Sequence, residues 1–272
     1  MAIITFWSNG KEETAKTLSI SAIATYTAMQ RNYKVLELST NYNDTTLETC
    51  YWKETKQDAK KILGFDSGVE GLAQAIASNK ASPEVIANYT KIVFKDSRLE
   101  VLPGIKTENY SEYEKIRPVY KEILKTANRY YDLIFVDLNK GLDHEDTRAI
   151  LEMSDVVIVC ITQRLKVINN YMALKENESL FNKNNVLTLV GRYDRFSKYN
   201  AKNIGRYIGE KEVFTVPYST LFFEAANEGE VAEFFLRFME VDESDRNAMF
   251  ISEIKKISDK IIYKLQELQM KM

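Results

Sequence analysis

The stretch that decides the fold is residues 10–19, which read Gly-Lys-Glu-Glu-Thr-Ala-Lys-Thr-Leu-Ser. It follows an apolar run at 2–7 and leads into a helical pattern from Thr17 to Met29. A loop between a strand and a helix presents backbone N–H groups and a helix N-terminus to an anion. Residues 10–19 therefore predict a phosphate-binding loop.

The Lys-Thr pair at the end of this loop gives it a specific chemistry. In a loop of this kind Lys16 reaches the β- and γ-phosphates of a nucleotide, and the Thr17 hydroxyl binds Mg²⁺. Glu12 and Glu13 place carboxylates in the same loop, and these repel a polyphosphate unless they point to solvent. A plain strand-to-helix turn with a charged rim is the alternative interpretation.

The bulk properties of the chain indicate a protein of the reduced cytoplasm. It has 272 residues and a net charge of −2, which argues against a broadly basic nucleic-acid binder. Its two cysteines, Cys50 and Cys160, indicate neither a disulfide framework nor a zinc site. The N-terminus does not have the pattern of a signal peptide, and no run reaches the ~20 apolar residues of a membrane span. We expect a cytoplasmic location.

Apolar strand-like runs alternate with helical patterns along the whole chain. Runs such as 133–136 and 156–159 are apolar on both faces, as a buried parallel strand requires. The alternation predicts an α/β fold with a doubly wound, mostly parallel sheet flanked by helices. The predicted strands are 2–7, 34–39, 98–102, 132–137, 155–161, 185–190 and 212–216. The predicted helices are 15–31, 44–63, 68–79, 82–90, 110–129, 143–153, 166–180, 199–208, 220–238 and 246–270.

We expect a single domain over residues 1–272, with two helical additions to the alternating pattern. A helical insertion at about 44–90 interrupts the strands, and a final helix covers about 246–270. The apolar stripe of that last helix predicts packing on the sheet or on a partner. Membrane association through its basic side chains is the less favoured alternative.

A second motif, at 131–142, reads Tyr-Asp-Leu-Ile-Phe-Val-Asp-Leu-Asn-Lys-Gly-Leu. Asp137 ends a buried strand in this motif, and α/β sheets bind ligands at the carboxyl ends of their strands. Together with Lys16 and Thr17 upstream, Asp137 predicts a water-mediated contact with Mg²⁺. An aspartate that only caps a turn is the alternative. Gly141 is the predicted hinge of the loop that follows.

These motifs resemble those of the ParA/MinD family of partitioning and positioning ATPases. The spacing Lys11-x4-Lys16-Thr17 is similar to the deviant Walker A loop of that family, and 131–142 is similar to its Walker B segment. Further similar segments follow in the family's order at 154–159, 187–195, 216–218 and 223–231.

The resemblance implies a P-loop NTPase fold of the SIMIBI type, with ATP and Mg²⁺ as cofactors. It also implies a homodimer, in which Lys11 reaches the partner's nucleotide. The implied nucleotide-binding residues are Lys11, Thr14, Lys16, Thr17, Leu18, Asp137, Arg192 and Pro217. The implied metal ligands are Thr17 and Asp137.

The chain departs from the family at positions that matter for turnover. Glu12, Glu13 and Ala15 stand where the family has glycine, and a side chain forced into a left-handed backbone costs roughly 1–2 kcal/mol. Ser39 and Asn41 stand where the family has acidic residues, and neither can act as a carboxylate does toward a proton or a metal. The pattern resembles family members with degraded P-loops, such as the TadZ-like pilus localisation proteins. We expect weak ATP binding and a weak ATPase at most.

Three functions stay open at this point. The first is a nucleotide-dependent dimer that positions or recruits an assembly, for instance in pilus formation, secretion, or plasmid or chromosome partitioning, through a protein partner. The second is a nucleotide-free structural protein with the same fold. The third is an active DNA-partitioning ATPase, which needs Asp44 to replace the missing carboxylate and Arg192, Arg195 and Arg206 to contact DNA.

Overall fold

A single eight-stranded sheet runs through the part of the chain that the structure describes. This computed structural model describes residues 1–10, 13–53, 68–78, 82–94 and 98–270. The strands are β1 (Ala2–Trp7), β2 (Val35–Ser39), β3 (Lys91–Ile92), β4 (Leu99–Leu102), β5 (Leu133–Asp137), β6 (Val156–Ile161), β7 (Val186–Tyr193) and β8 (Phe214–Pro217). Their order across the sheet is β3-β4-β2-β5-β1-β6-β7-β8.

Neighbouring strands of this sheet are parallel except for β3 and β4. The predicted doubly wound, mostly parallel α/β sheet is therefore confirmed. The sequence analysis missed β3, because an edge strand of two residues is too short to show a periodic pattern. The loop of residues 10–19 follows β1, which lies inside the sheet between β5 and β6.

The helices within the described residues cover both faces of the sheet. They are α1 (Lys16–Gln30), α2 (Thr46–Thr49), α3 (Gly68–Ala77), α4 (Tyr110–Ile116), α5 (Val119–Ala127), α6 (Glu145–Met153), α7 (Leu165–Asn177), α8 (Ala201–Ile208), α9 (Thr220–Asn227), α10 (Val231–Phe238) and α11 (Ala248–Gln269). Short 3₁₀ turns lie at Glu84–Asn88 and Ser179–Asn182.

Several predicted helices are shorter or divided. The predicted helix 110–129 is two helices, because Pro118 has no N–H to continue the first one. The predicted helix 220–238 divides near Gly229, which has a left-handed φ of +72°. The prediction at 82–90 is a 3₁₀ turn. Within the predicted helix 44–63 the structure gives α2, and residues 54–67 lie outside the described residues.

Two apolar layers form the core, one on each face of the sheet. Side chains alternate along a strand, so Ile4 and Phe6 of β1 pack in the layer of α1, α9, α10 and α11. Ile3 and Trp7 pack in the other layer, with α3, α5, α6 and α7. Because β1 is covered on both sides, the loop that follows it starts from a rigid base.

The last helix packs against the chain itself. Ile254, Ile257 and Ile261 of α11 are buried in the layer that also holds α1. A buried hydrogen bond joins the hydroxyls of Thr27 in α1 and Ser258 in α11 at 2.8 Å. Of the helices in the described ranges, none has the length and apolar character needed to cross a bilayer.

We expect Gly229→Ala to destabilise the protein more than Gly209→Ala. Both glycines are left-handed, with φ of +72° and +74°, so a Cβ at either position costs roughly 1–2 kcal/mol. A Cβ at position 229 would also lie 2.6 Å from the backbone N of Lys53, whereas nothing lies within 4 Å of a Cβ at 209. Such a clash adds roughly 1–3 kcal/mol. Urea unfolding of the two variants measures the difference, and equal losses would show that the contact between Gly229 and Lys53 is absent.

Candidate functional site

The loop between β1 and α1 makes a left-handed turn at Ala15. Ala15 has φ 53° and ψ 32°, and it directly precedes Lys16, the first residue of α1. A left-handed residue with a Cβ is strained by roughly 1–2 kcal/mol, so part of the strain expected from the missing glycines is located here. Lys11 and Glu12 lie outside the described residues, and the role of Lys11 across a dimer stays a prediction.

Lys16 and Asp137 form a buried ion pair at the centre of the site. Lys16 Nζ lies 2.6 Å from Asp137 Oδ1, and the two side chains are 5% and 0% exposed. Lys16 Nζ also donates a hydrogen bond to the backbone carbonyl of Leu138. Removing one partner of a buried pair costs about 3–5 kcal/mol, because the other charge is left uncompensated. The pair therefore ties the N-terminus of α1 to the carboxyl end of β5.

Thr17 contacts the second oxygen of the same carboxylate. Its Oγ1 donates to Asp137 Oδ2 at 2.7 Å. A hydroxyl and a carboxylate are hard oxygen donors, which Mg²⁺ prefers, and Mg²⁺ takes its remaining ligands from phosphate and water. Thr17 and Asp137 therefore fit the metal in chemical kind, and the structure brings together the two residues that the sequence assigned to it.

The end of β2 carries neutral side chains at the two positions where the resemblance expects acids. Asn41 donates to Ser39 Oγ from its side-chain Nδ2 at 2.9 Å and from its backbone N–H at 3.2 Å. Asp44 accepts a hydrogen bond from the backbone N–H of Thr46 at 2.9 Å, at the start of α2. This contact favours the interpretation of Asp44 as a helix-capping residue.

The loop after Asp137 is held from two sides. The backbone N–H of Asn139 donates to Thr40 Oγ1 at 2.9 Å. Trp7 Nε1 donates to the carbonyl of Gly141 at 2.9 Å, and Gly141 has a left-handed φ of +78°. The residue predicted as a hinge thus has a backbone conformation that suits glycine, and its motion stays a prediction.

A narrow cleft lies where the resemblance places the nucleotide base. Leu18, Arg192 and Pro217 form part of its wall. Its volume of about 30 Å³ equals the share of one water molecule in the liquid, so it is too small for a purine. The Arg192 guanidinium lies 3.1 Å from Glu13 Oε2. Three predicted residues therefore meet in one closed cleft, which is also lined by Ala15, Ser19, Val216, Tyr218, Ser219, Phe222, Phe223 and Phe250.

Thr14 packs against β7 rather than lining this cleft. A Cβ on Gly191 would lie 2.0 Å from the carbonyl oxygen of Thr14, so only glycine fits at position 191. Thr14 is 5% exposed. This close approach explains the glycine that stands where the family has its base-contacting asparagine, and it fixes the loop against the strand that carries Arg192.

The sequence analysis missed Glu37, a fully buried carboxyl in β2. The Tyr51 hydroxyl donates to Glu37 Oε2 at 2.6 Å, and Oε1 has no hydrogen-bond partner within the described residues. Burial raises the pKa of Glu37 to about 8; the charges of Asp137 and Glu48 raise it further, and the Tyr51 hydrogen bond opposes the rise. The available signal was a lone charged residue within the apolar run 35–38.

Ala15→Gly is expected to stabilise the protein. Glycine relieves the left-handed strain of roughly 1–2 kcal/mol, and its greater freedom in the unfolded chain removes about 0.4–1 kcal/mol of that gain. The matched control is Ala173→Gly, at an exposed position inside α7, which should lose about 1 kcal/mol. Denaturant unfolding gives both values. A loss of stability in Ala15→Gly would contradict the left-handed turn at this position.

We expect stability to decrease with rising pH because of Glu37. The stabilisation from its protonated form is complete below the ordinary pKa of 4.5 and is lost as the pH rises through the native value of about 8. Between these values the free energy of unfolding falls by up to about 1.4 kcal/mol per pH unit at this site. Urea unfolding from pH 5 to 8 should show a flatter profile for Glu37→Gln. The control is Glu224→Gln in α9, which is exposed and should keep the wild-type slope. A slope unchanged in Glu37→Gln would disprove the assignment.

Comparison with known proteins places the architecture. No protein-family model and no curated protein matches the sequence. A ParA family ATPase from Chlorobium tepidum is 15% identical, with a TM-score of 0.71 over 97% of this chain and 98% of that one. MinD from Pyrococcus horikoshii, solved with Mg-ADP, is 16% identical, with a TM-score of 0.66 over 96% and 97%. A putative plasmid partition protein from Borrelia burgdorferi, bound to AMPPNP, is 19% identical, with a TM-score of 0.65 over 95% and 98%.

These similarities span nearly the full length of each protein compared, at an identity that speaks for the fold alone. They agree with the strand order and with the position of the loop between β1 and α1. The chain therefore has the P-loop fold of the ParA/MinD ATPases.

Proposed function

We propose that this chain is a ParA/MinD-type P-loop protein that binds ATP weakly with Mg²⁺ and dimerises. In this proposal it positions or recruits a cellular assembly, and it hydrolyses ATP slowly or not at all. The observation that carries the proposal is the convergence of Lys16, Thr17 and Asp137 at the N-terminus of α1. A lysine, a hydroxyl and a carboxylate in this arrangement supply the charges that a nucleotide with its metal requires.

ATP binding in this site is an exchange of partners. The phosphates would attract Lys16 away from Asp137, and the carboxylate would turn to Mg²⁺ together with Thr17. Each charge then keeps a counter-ion, so neither is left buried and unpaired. The Glu13–Arg192 contact must also open, because the cleft between them and Pro217 is too small for the base. These two costs support weak binding.

Slow hydrolysis follows from the end of β2. An attacking water needs a group that orients it and accepts its proton. Ser39 and Asn41 form hydrogen bonds with each other and carry no charge at the two positions where the resemblance expects acids. Asp44 is engaged in capping α2. The groups present therefore support binding of a nucleotide better than they support its cleavage.

Dimerisation and a protein partner come from the resemblance to ParA and MinD proteins. A positioning protein of this type acts by changing its own assembly state with nucleotide and then recruiting a partner. A pilus, secretion or partition system is the proposed setting. DNA contact through Arg195 and Arg206 belongs to the third function, an active partitioning ATPase, which the neutral end of β2 disfavours.

A second candidate is a nucleotide-free interaction protein. The specific observation in its favour is that the loop satisfies its own charges: Lys16 and Thr17 both contact Asp137, and Arg192 contacts Glu13. In this candidate the ion pair is a structural feature of the fold. The two candidates differ in whether ATP can displace Asp137 from Lys16.

Adding ATP with Mg²⁺ should raise the Tm of the wild-type protein but leave the Tm of Lys16→Ala unchanged. At a ligand concentration about thirty times Kd, binding stabilises the native state by roughly 2 kcal/mol. This corresponds to a rise of roughly 4–6 °C for a chain of this size. Lys16→Ala starts from a lower Tm, since Asp137 loses its partner, so the ligand-dependent shift is the quantity compared.

Lys202→Ala, at an exposed position in α8, is the matched control and should keep the full shift. Absence of a shift in the wild type at millimolar ATP would favour the nucleotide-free candidate. Phosphate release clearly above the buffer background would contradict impaired hydrolysis and favour an active ATPase.

A further inference from the structure

A groove of about 400 Å³ lies between α7 and α8, away from the P-loop. Ile168 and Ile204 form its floor and are each 1% exposed. Leu165 and Tyr207 stand at its edge, 42% and 50% exposed. Its remaining lining residues are Lys198, Tyr199 and Asn203. The groove thus combines an apolar floor with a polar and cationic edge.

The loop that borders this groove is held rigidly. Gln163 Nε2 donates to the carbonyls of Asp194 and Tyr199, each at 2.9 Å, and Gln163 Oε1 accepts from the Asp194 N–H at 2.7 Å. The same loop presents Phe196 to solvent with 82% of its surface exposed. An exposed aromatic side chain on a fixed loop beside an apolar groove is typical of a protein-binding surface.

Positive charge is concentrated around the groove although the whole chain is slightly acidic. Residues 162–170 and 192–208 contain seven Lys and Arg against one Asp, while the net charge of the chain is −2. Five of these cations are exposed and, within the described residues, have no acidic side chain within 4.0 Å: Lys166, Arg195, Lys198, Lys202 and Arg206. The surface therefore attracts an acidic ligand.

We propose that this groove binds an acidic segment of a partner protein, with an apolar side chain inserted against Ile168 and Ile204. Phosphates of DNA would need the cations but would leave the apolar floor uncovered. A flat lipid surface would not reach two isoleucines at the bottom of a groove. An acidic peptide with an apolar anchor matches both features. The inference goes beyond the proposed function and holds whether or not the chain binds nucleotide.

A random dodecapeptide display library, selected on the full chain without nucleotide, tests this inference. The enriched peptides should be acidic and carry a Leu, Ile or aromatic anchor. Their affinity, measured by fluorescence anisotropy, should fall by about tenfold or more in both Lys198→Glu and Leu165→Ser. Both substitutions are at exposed positions, so the fold should tolerate them, and circular dichroism checks this.

Two matched controls carry the same changes elsewhere: Lys255→Glu in α11 and Leu236→Ser in α10, both exposed. They should keep wild-type affinity. Enrichment of neutral or basic peptides would overturn the inference, as would full affinity in Leu165→Ser. Tighter binding of a short DNA duplex, or of phosphatidylserine vesicles, that is lost in Lys198→Glu would assign the surface to that ligand instead. Because no nucleotide is present, these results are independent of the test of ATP binding.

Discussion

The contact between Lys16 and Asp137 joins the two halves of the candidate site. Both side chains are almost excluded from water, and each neutralises the other at 2.6 Å. An unpaired charge at this depth would cost several kcal/mol, so Lys16 stays on Asp137 until another anion replaces it. A nucleotide with its metal offers a replacement to each partner. Its net affinity is then a small difference between large terms, which is how a site can keep the groups for binding and still bind weakly.

Much of this arrangement could be predicted from the sequence, because strong local patterns produce it. The runs 133–136 and 156–159 are apolar on both faces, which identified buried parallel strands. The Lys-Thr pair after β1 and the aspartate after β5 then had to meet, since the carboxyl ends of parallel strands lie at one edge of a sheet. The convergence of Lys16, Thr17 and Asp137 is a consequence of that topology.

Other features depend on tertiary distances that no local pattern encodes. The Glu13–Arg192 contact links residues far apart in the chain, and it helps to close a cleft that the motifs alone suggested would be open. The raised pKa of Glu37 arises mainly from burial, which comes from helices of the opposing layer. The groove between α7 and α8 needs two helices placed side by side. Helix ends near Pro118 and Gly229 were within reach of sequence rules and were overlooked.

The most direct test of the account is titration of the purified chain with a fluorescent ATP analogue and Mg²⁺, with molecular size measured in the same samples. The account predicts saturable, weak binding accompanied by a shift from monomer to dimer. No binding at millimolar nucleotide would contradict it: the Lys16–Asp137 pair would then be a permanent structural contact, and the function of the chain would have to be sought in its protein-binding surfaces.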